Sequence, residues 1–215
     1  MDGAALLERV REDKKTELDR LGSEKALLAA TEARLETDAV LVTAAAVLGD
    51  ARETVAEWAE AATADAAVET LGTTRDRLDA AHDDVAAELD DDEDTAGTED
   101  IAAVDVPFLS LSGETDVERV AAATLGLPLI LDRLFLQSVS FFVNEADNAR
   151  ADLFRDLRGM TEDVLADGQD ALDALCADEE AWDEAAAAAA ATVAAAYAEY
   201  VDRLDAMGFD PKPIC

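Results

Sequence analysis

Apolar side chains return at three- and four-residue intervals along most of the chain, the spacing of amphipathic helices and not of strands. The first run, Leu6, Leu7, Val10, Leu18 and Leu21, predicts a helix over 2–21 stopped by Gly22. Ser23 is placed to cap a short second helix to about Glu36. Two longer stripes follow. Leu41, Ala44, Leu48, Ala51, Val55, Trp58 and Ala62 mark one face over 38–63, and Val68, Leu71, Leu78, His82, Val85 and Leu89 one face over 66–90. Thr115-Asp-Val-Glu118 has the form of a capping box and opens a helix that Gly126 and Pro128 are expected to end. The most apolar stripe, Leu131, Phe135, Val139, Phe142, Ala146, Ala149, Leu153 and Leu157, predicts a helix over 129–158 closed by Gly159, with a further helix over 161–177. Asp178 then caps a helix over 179–207, in which Ala185–Ala191 precede Val193, Tyr197, Tyr200, Leu204 and Met207; Gly208 stops it.

Between the two long helix pairs lies an acidic loop from Asp90 to Asp100, then a stretch at 104–112 that reads as extended. This order predicts an all-α chain: a four-helix bundle with accessory N-terminal and connecting helices, the alternative being an irregular helical domain. One domain over 1–215 is expected, with accessory helices in 1–36, a helix pair in 38–90, an acidic loop in 91–113, a second helical half in 114–208 and a tail in 209–215. No fixed period indicates a solenoid.

Charge changes the picture most. Asp and Glu number 51 against 17 Lys and Arg, a formal net charge of −34 spread over every predicted helix. Such a charge strains a compact fold at low salt, whereas at 1 M salt the screening length falls to about 3 Å. The composition therefore reads as adapted to a salt-rich cytoplasm, the rival being a solubilising acidic surface. Direct nucleic-acid or anionic-lipid contact is not expected, because no basic patch exists to release phosphate counterions. The opening MDGAALLERVRED lacks the basic and apolar regions of an export signal, and Asp132 and Arg133 interrupt the most apolar stretch, so neither export nor membrane insertion is expected. Cys176 and Cys215 do not make a disulfide framework; each reads as packing more than redox chemistry.

No phosphate-binding loop, nucleophile elbow, CxxC or HExxH occurs, and His82 is the one histidine. What remains is carboxylate chemistry within a bundle. The stretches Leu21-Gly-Ser-Glu-Lys-Ala-Leu27, Glu53-Thr-Val-Ala-Glu-Trp58, Phe141-Phe-Val-Asn-Glu-Ala-Asp147, Asp152-Leu-Phe-Arg-Asp-Leu-Arg158 and Gly208-Phe-Asp-Pro-Lys-Pro-Ile-Cys215 resemble a haloarchaeal rubrerythrin-like family. The resemblance implies a ferritin-like bundle, whose di-iron site takes a Glu from two helices and Glu-x-x-His from two others. Carboxylates suit hard iron, and histidine completes its coordination. In this chain Asp79-Ala-Ala-His82 is a shortened Glu-x-x-His element. Asp79 and His82 read either as ligands or as a buried histidine bonded to Asp79, with Arg75 as the ionic partner. Glu145 reads either as the ligand Glu or as a flank carboxylate paired with Arg150. The helix over 38–63 offers only Ala44, Ala45, Ala46, Val47 and Leu48 where an inward Glu would stand, and Glu199 and Asp202 point off the last helix's stripe.

The implied di-iron centre is therefore incomplete, with at most a residual metal site of Asp79, His82 and Glu145; no cofactor is expected, and iron is the metal a residual site would take. The leading expectation is a structural or protein-interaction module without catalytic residues, engaging a protein partner or associating with itself. One alternative is a metal-binding oxidoreductase or metal store with a reduced site. Another is an acidic helical regulator binding a protein partner in transcription, whose interface would include Leu136 and Phe154.

Overall fold

A computed structural model describes residues 1–90 and 111–211, and every regular element in them is a helix. The acidic loop, nearly all of the 104–112 stretch and Cys215 lie outside the described residues. The helices are α1 (Gly3–Asp13), α2 (Lys15–Leu21), α3 (Glu24–Ala30), α4 (Thr37–Ala61), α5 (Asp65–Asp90), α6 (Asp116–Ala121), α7 (Leu127–Asn144), α8 (Asn148–Leu175) and α9 (Glu179–Ala206). A π-helical segment, Ala122–Gly126, joins α6 to α7.

The amphipathic stripes become the packing faces. Leu41, Leu48 and Val55 of α4 and Leu71, Leu78, Val85 and Leu89 of α5 are all at most 1% exposed, and the two helices form an antiparallel hairpin. Helices α7 and α8 form a second hairpin, with α5 against α8 and α4 touching α7, so four of the five long helices close a ring; α9, expected as a bundle member, lies outside it. Phe142 stacks on Phe154 at 5.5 Å between ring centres, and Phe135 tilts against Phe154 at 5.8 Å, which fastens the second hairpin by aromatic burial. Helix α9 covers α6 and the π segment, and α1–α3 wrap the same side.

Several predicted boundaries are corrected. Gly126 and Pro128 do not end a helix. The widened π turn moves the backbone carbonyls out of α register, which accommodates the proline ring and its missing N–H near the start of α7. Gly126 instead permits close approach: a Cβ there would lie 2.7 Å from Thr192 Cβ and 3.0 Å from the Ala189 carbonyl of α9. The joined helix, Asp116–Asn144, is long and apolar enough to cross a membrane by length and composition, yet 83% of its apolar window is buried inside the protein. Gly159 does not close a helix either; it is an exposed position within α8.

The break falls instead at Glu145–Asp147, and Ala146 takes φ 60°. Asp147 N–H donates to Phe142 O at 2.9 Å and Ala146 N–H to Val143 O at 3.2 Å, the paired bonds of a Schellman turn. Asp147 then caps α8 by accepting from Arg150 N–H at 3.1 Å. Because the helical phase restarts here, Ala146 and Ala149 are exposed and Ala151, Phe154 and Leu157 face the core. The N-terminal helix is likewise divided at Lys14, and α3 ends at Ala30, where Glu32 and Ala33 take positive φ. Val68, read as core-facing, is 44% exposed in the first turn of α5.

Candidate functional site

The interior of the four-helix ring is where a bundle metal site would be built, and its lining is apolar. Ala44, Ala45, Ala46, Val47 and Leu48 of α4 are each at most 5% exposed. Among the described residues the buried polar side chains are seven threonines and Ser138, with no carboxylate or basic group. Several satisfy themselves on their own helix: Thr31, Thr124, Ser138 and Thr192 donate to carbonyls one turn earlier at 2.6–3.1 Å. Thr74 Oγ1 is buried without a partner.

His82 lies in the seam between α5 and α4, its side chain 18% exposed. Gly49 of α4 leaves room for the ring, since a Cβ there would stand 3.4 Å from His82 Cδ2. The ring's hydrogen-bond partner is Asp83 Oδ1, 3.4 Å from Nδ1, and not Asp79. Asp79, 56% exposed, pairs across the hairpin with Arg52 at 2.9 Å, while Arg75 turns to Asp76 at 2.6 Å. Glu145 is exposed at the end of α7. Arg150 reaches Glu88 of α5 and Asp147, each at 3.1 Å, tying the start of α8 to the end of α5. Among the described residues no group of three or more His, Cys, Asp and Glu is arranged to hold a metal, so Asp79, His82 and Glu145 are not gathered as one set. Among the described residues, the donor set and the apolar interior do not fit a di-iron centre.

The other residues singled out in the sequence divide between core and surface. Phe154 is fully buried and belongs to the core, whereas Leu136 is half-buried. Cys176 is 7% exposed, and burial, with nearby Glu184, Asp173 and Asp178, pushes its thiol up to about 11, which leaves it protonated and unreactive at neutral pH. Tyr200 is fully buried, and burial raises its phenol despite a contact with Ser23 Oγ at 3.4 Å. Tyr197 is half-buried and meets Arg20, whose guanidinium carbon sits 5.6 Å from the ring centre.

A cleft of about 960 Å³ lies elsewhere, between the α2–α3 corner and the outer face of α7. The corner is held by Gln137 Nε2 donating to Gly22 O at 2.6 Å, and Lys25 Nζ donates to Asp210 O at 2.6 Å on its rim. Leu27 and half-buried Phe141 form apolar walls, with Leu35 48% exposed beside them. Asp19, Arg20, Glu24 and Lys25 place two charges of each sign around it. No motif marks this cleft in the sequence, because its walls come from segments more than a hundred residues apart. A smaller groove between α5 and α8, about 320 Å³, is lined by Glu69, Asp167 and Asp170 and by no basic residue.

The fold and site together define an all-α protein with an apolar interior and an open surface cleft. The chain matches no protein-family model, no curated protein and no solved structure.

Proposed function

We propose that this chain is a rubrerythrin-like, ferritin-like helical bundle without a complete di-iron centre, serving as a structural or protein-interaction module in a salt-rich cytoplasm. The observation that carries the reading is the filling of the ring interior. Ala44–Leu48 occupy the turn where an inward Glu would stand, and no carboxylate is buried among the described residues. Replacing interior ligands by small apolar groups stabilises a bundle, since unpaired interior charges are costly. The ring of two helix hairpins supports the bundle, and the placement of the carboxylates on the surface supports adaptation to salt. The cleft at the α2–α3 corner supplies the surface on which an interaction module would act.

Metal analysis of protein purified in molar salt tests the reading. Wild type and His82→Ala are both expected to carry only trace iron and manganese. Stoichiometric metal in wild type that disappears in His82→Ala would overturn it and favour an oxidoreductase or metal store.

A further inference from the structure

The net charge of −34 is unevenly distributed. Residues 1–25 hold seven acidic and six basic side chains, a net charge of −1, so almost all the excess lies beyond them. These near-neutral residues form α1, α2 and the start of α3, and the last two of these helices build one wall of the large cleft. Around that cleft Asp19 and Glu24 are matched in number by Arg20 and Lys25. The α5–α8 groove, by contrast, presents three carboxylates and no cation.

We infer that the α2–α3–α7 cleft is the docking face for a second copy of this chain, an inference that rests on the interaction-module reading above. At molar salt, where screening leaves only charges near contact to repel, two copies this acidic meet at least cost through a face whose own charges balance. A twofold contact sets a patch against itself, so the patch must contain both signs to be self-complementary. The pairs Asp19/Arg20 and Glu24/Lys25 meet that requirement. A basic partner would instead find its complement in the acidic groove. The cleft also combines apolar and polar lining residues, as interfaces do. Leu35 and Phe141 lie within it, and Phe209, 44% exposed, stands two residues before Pro211 on its rim.

Sedimentation equilibrium of the full chain in molar KCl tests the inference, with circular dichroism confirming that each variant is folded. Wild type is expected to dimerise reversibly. Lys25→Glu makes the patch predominantly acidic and Glu24→Lys makes it predominantly basic, so each alone should weaken association by at least about tenfold, or about 1.4 kcal/mol. Mixed one to one, the two variants should regain association as a heterodimer. Exposed Leu35→Asp should weaken association without changing the fold. A wild type that stays monomeric, association unmoved by these variants, or a mixture that fails to recover overturns the inference. Each of those results leaves the metal-free reading standing, because that reading fails only on the metal analysis.

Discussion

Helix α8 carries two glycines whose replacement by alanine should move stability in opposite directions. Gly168 is buried where α8 crosses the π segment, and a Cβ added there would lie 2.5 Å from Thr124 Cβ, closer still to Thr124 Oγ1, and 3.2 Å from the Thr124 carbonyl. Contacts this short force α8 away from the segment, and overpacking of this kind costs about 1–3 kcal/mol. The better helix propensity of alanine returns about 1 kcal/mol. Taking the upper part of the overpacking range, because backbone as well as side chain must yield, Gly168→Ala should lose about 2 kcal/mol. At about 2–4 °C per kcal/mol for a chain of this size, Tm falls by about 4–8 °C. Gly159, nine residues earlier, has nothing within 4 Å of an added Cβ, so the same substitution keeps the propensity gain. Gly159→Ala should therefore raise Tm by about 2–4 °C. Thr124→Ala added to Gly168→Ala removes the hydroxyl contact but leaves the Cβ contact, so only part of the loss returns. Thermal melts followed by circular dichroism in one molar-salt buffer measure all four proteins. A Gly168→Ala protein melting at or above wild type would refute the close crossing of α8 over the π segment.

Ala146 holds φ 60° in a turn that glycine would make without strain, so Ala146→Gly should raise stability by about 0.5–1 kcal/mol in denaturant titrations. Burial alone would raise the Asp116 pKa, but hydrogen bonds from Ala64 N–H, Thr63 N–H and the Thr63 hydroxyl outweigh it and hold the carboxyl below its ordinary value. A depressed carboxylate contributes stability that is present above its unfolded pKa and lost as pH falls through the folded one. Asp116→Asn should thus cost about 1–2 kcal/mol near neutrality and leave a shallower acid limb in a pH series of melts. In a Cys215→Ser background, Cys176 should react with a thiol reagent only as fast as the protein opens, because the thiol is buried and its pKa is about 11. Rapid stoichiometric labelling of the folded protein would contradict that.

The faces of the long helices were legible because burial and periodicity are local signals: Leu41, Leu48 and Val55, or Leu71, Leu78 and Val85, declare themselves by spacing. Breaks were legible only where they carry the usual residues. Gly126 and Gly159 resemble stops, but one serves a helix crossing and the other an exposed helical position. The actual breaks at Lys14 and Ala146 carry no glycine, so nothing in the local chemistry announces them. The apolar filling around Ala44–Leu48 was readable, since five small or aliphatic residues in a row leave no inward ligand on that turn. The partners of the polar residues were not. Asp79 turns to Arg52 across the hairpin, and Arg150 to Glu88 from another helix, choices made by tertiary packing. The cleft was invisible for the same reason: Gly22 and Gln137 meet only after α7 folds against the α2–α3 corner.

The π segment also governs angular phase. A π turn takes up about one residue more than an α turn, and one residue is about 100° of rotation around a helix axis. Forcing Ala122–Gly126 into α geometry with all five residues kept would swing everything downstream by about that angle relative to α6. Phe135 and Phe142, which now point at Phe154, would turn toward the flank, and Pro128 would fall into a regular turn that has no place for it. The segment acts as a gear tooth: its widened turn absorbs one residue without changing which side of α7 is inside, so a chain one residue shorter with a regular turn there would keep the same bundle.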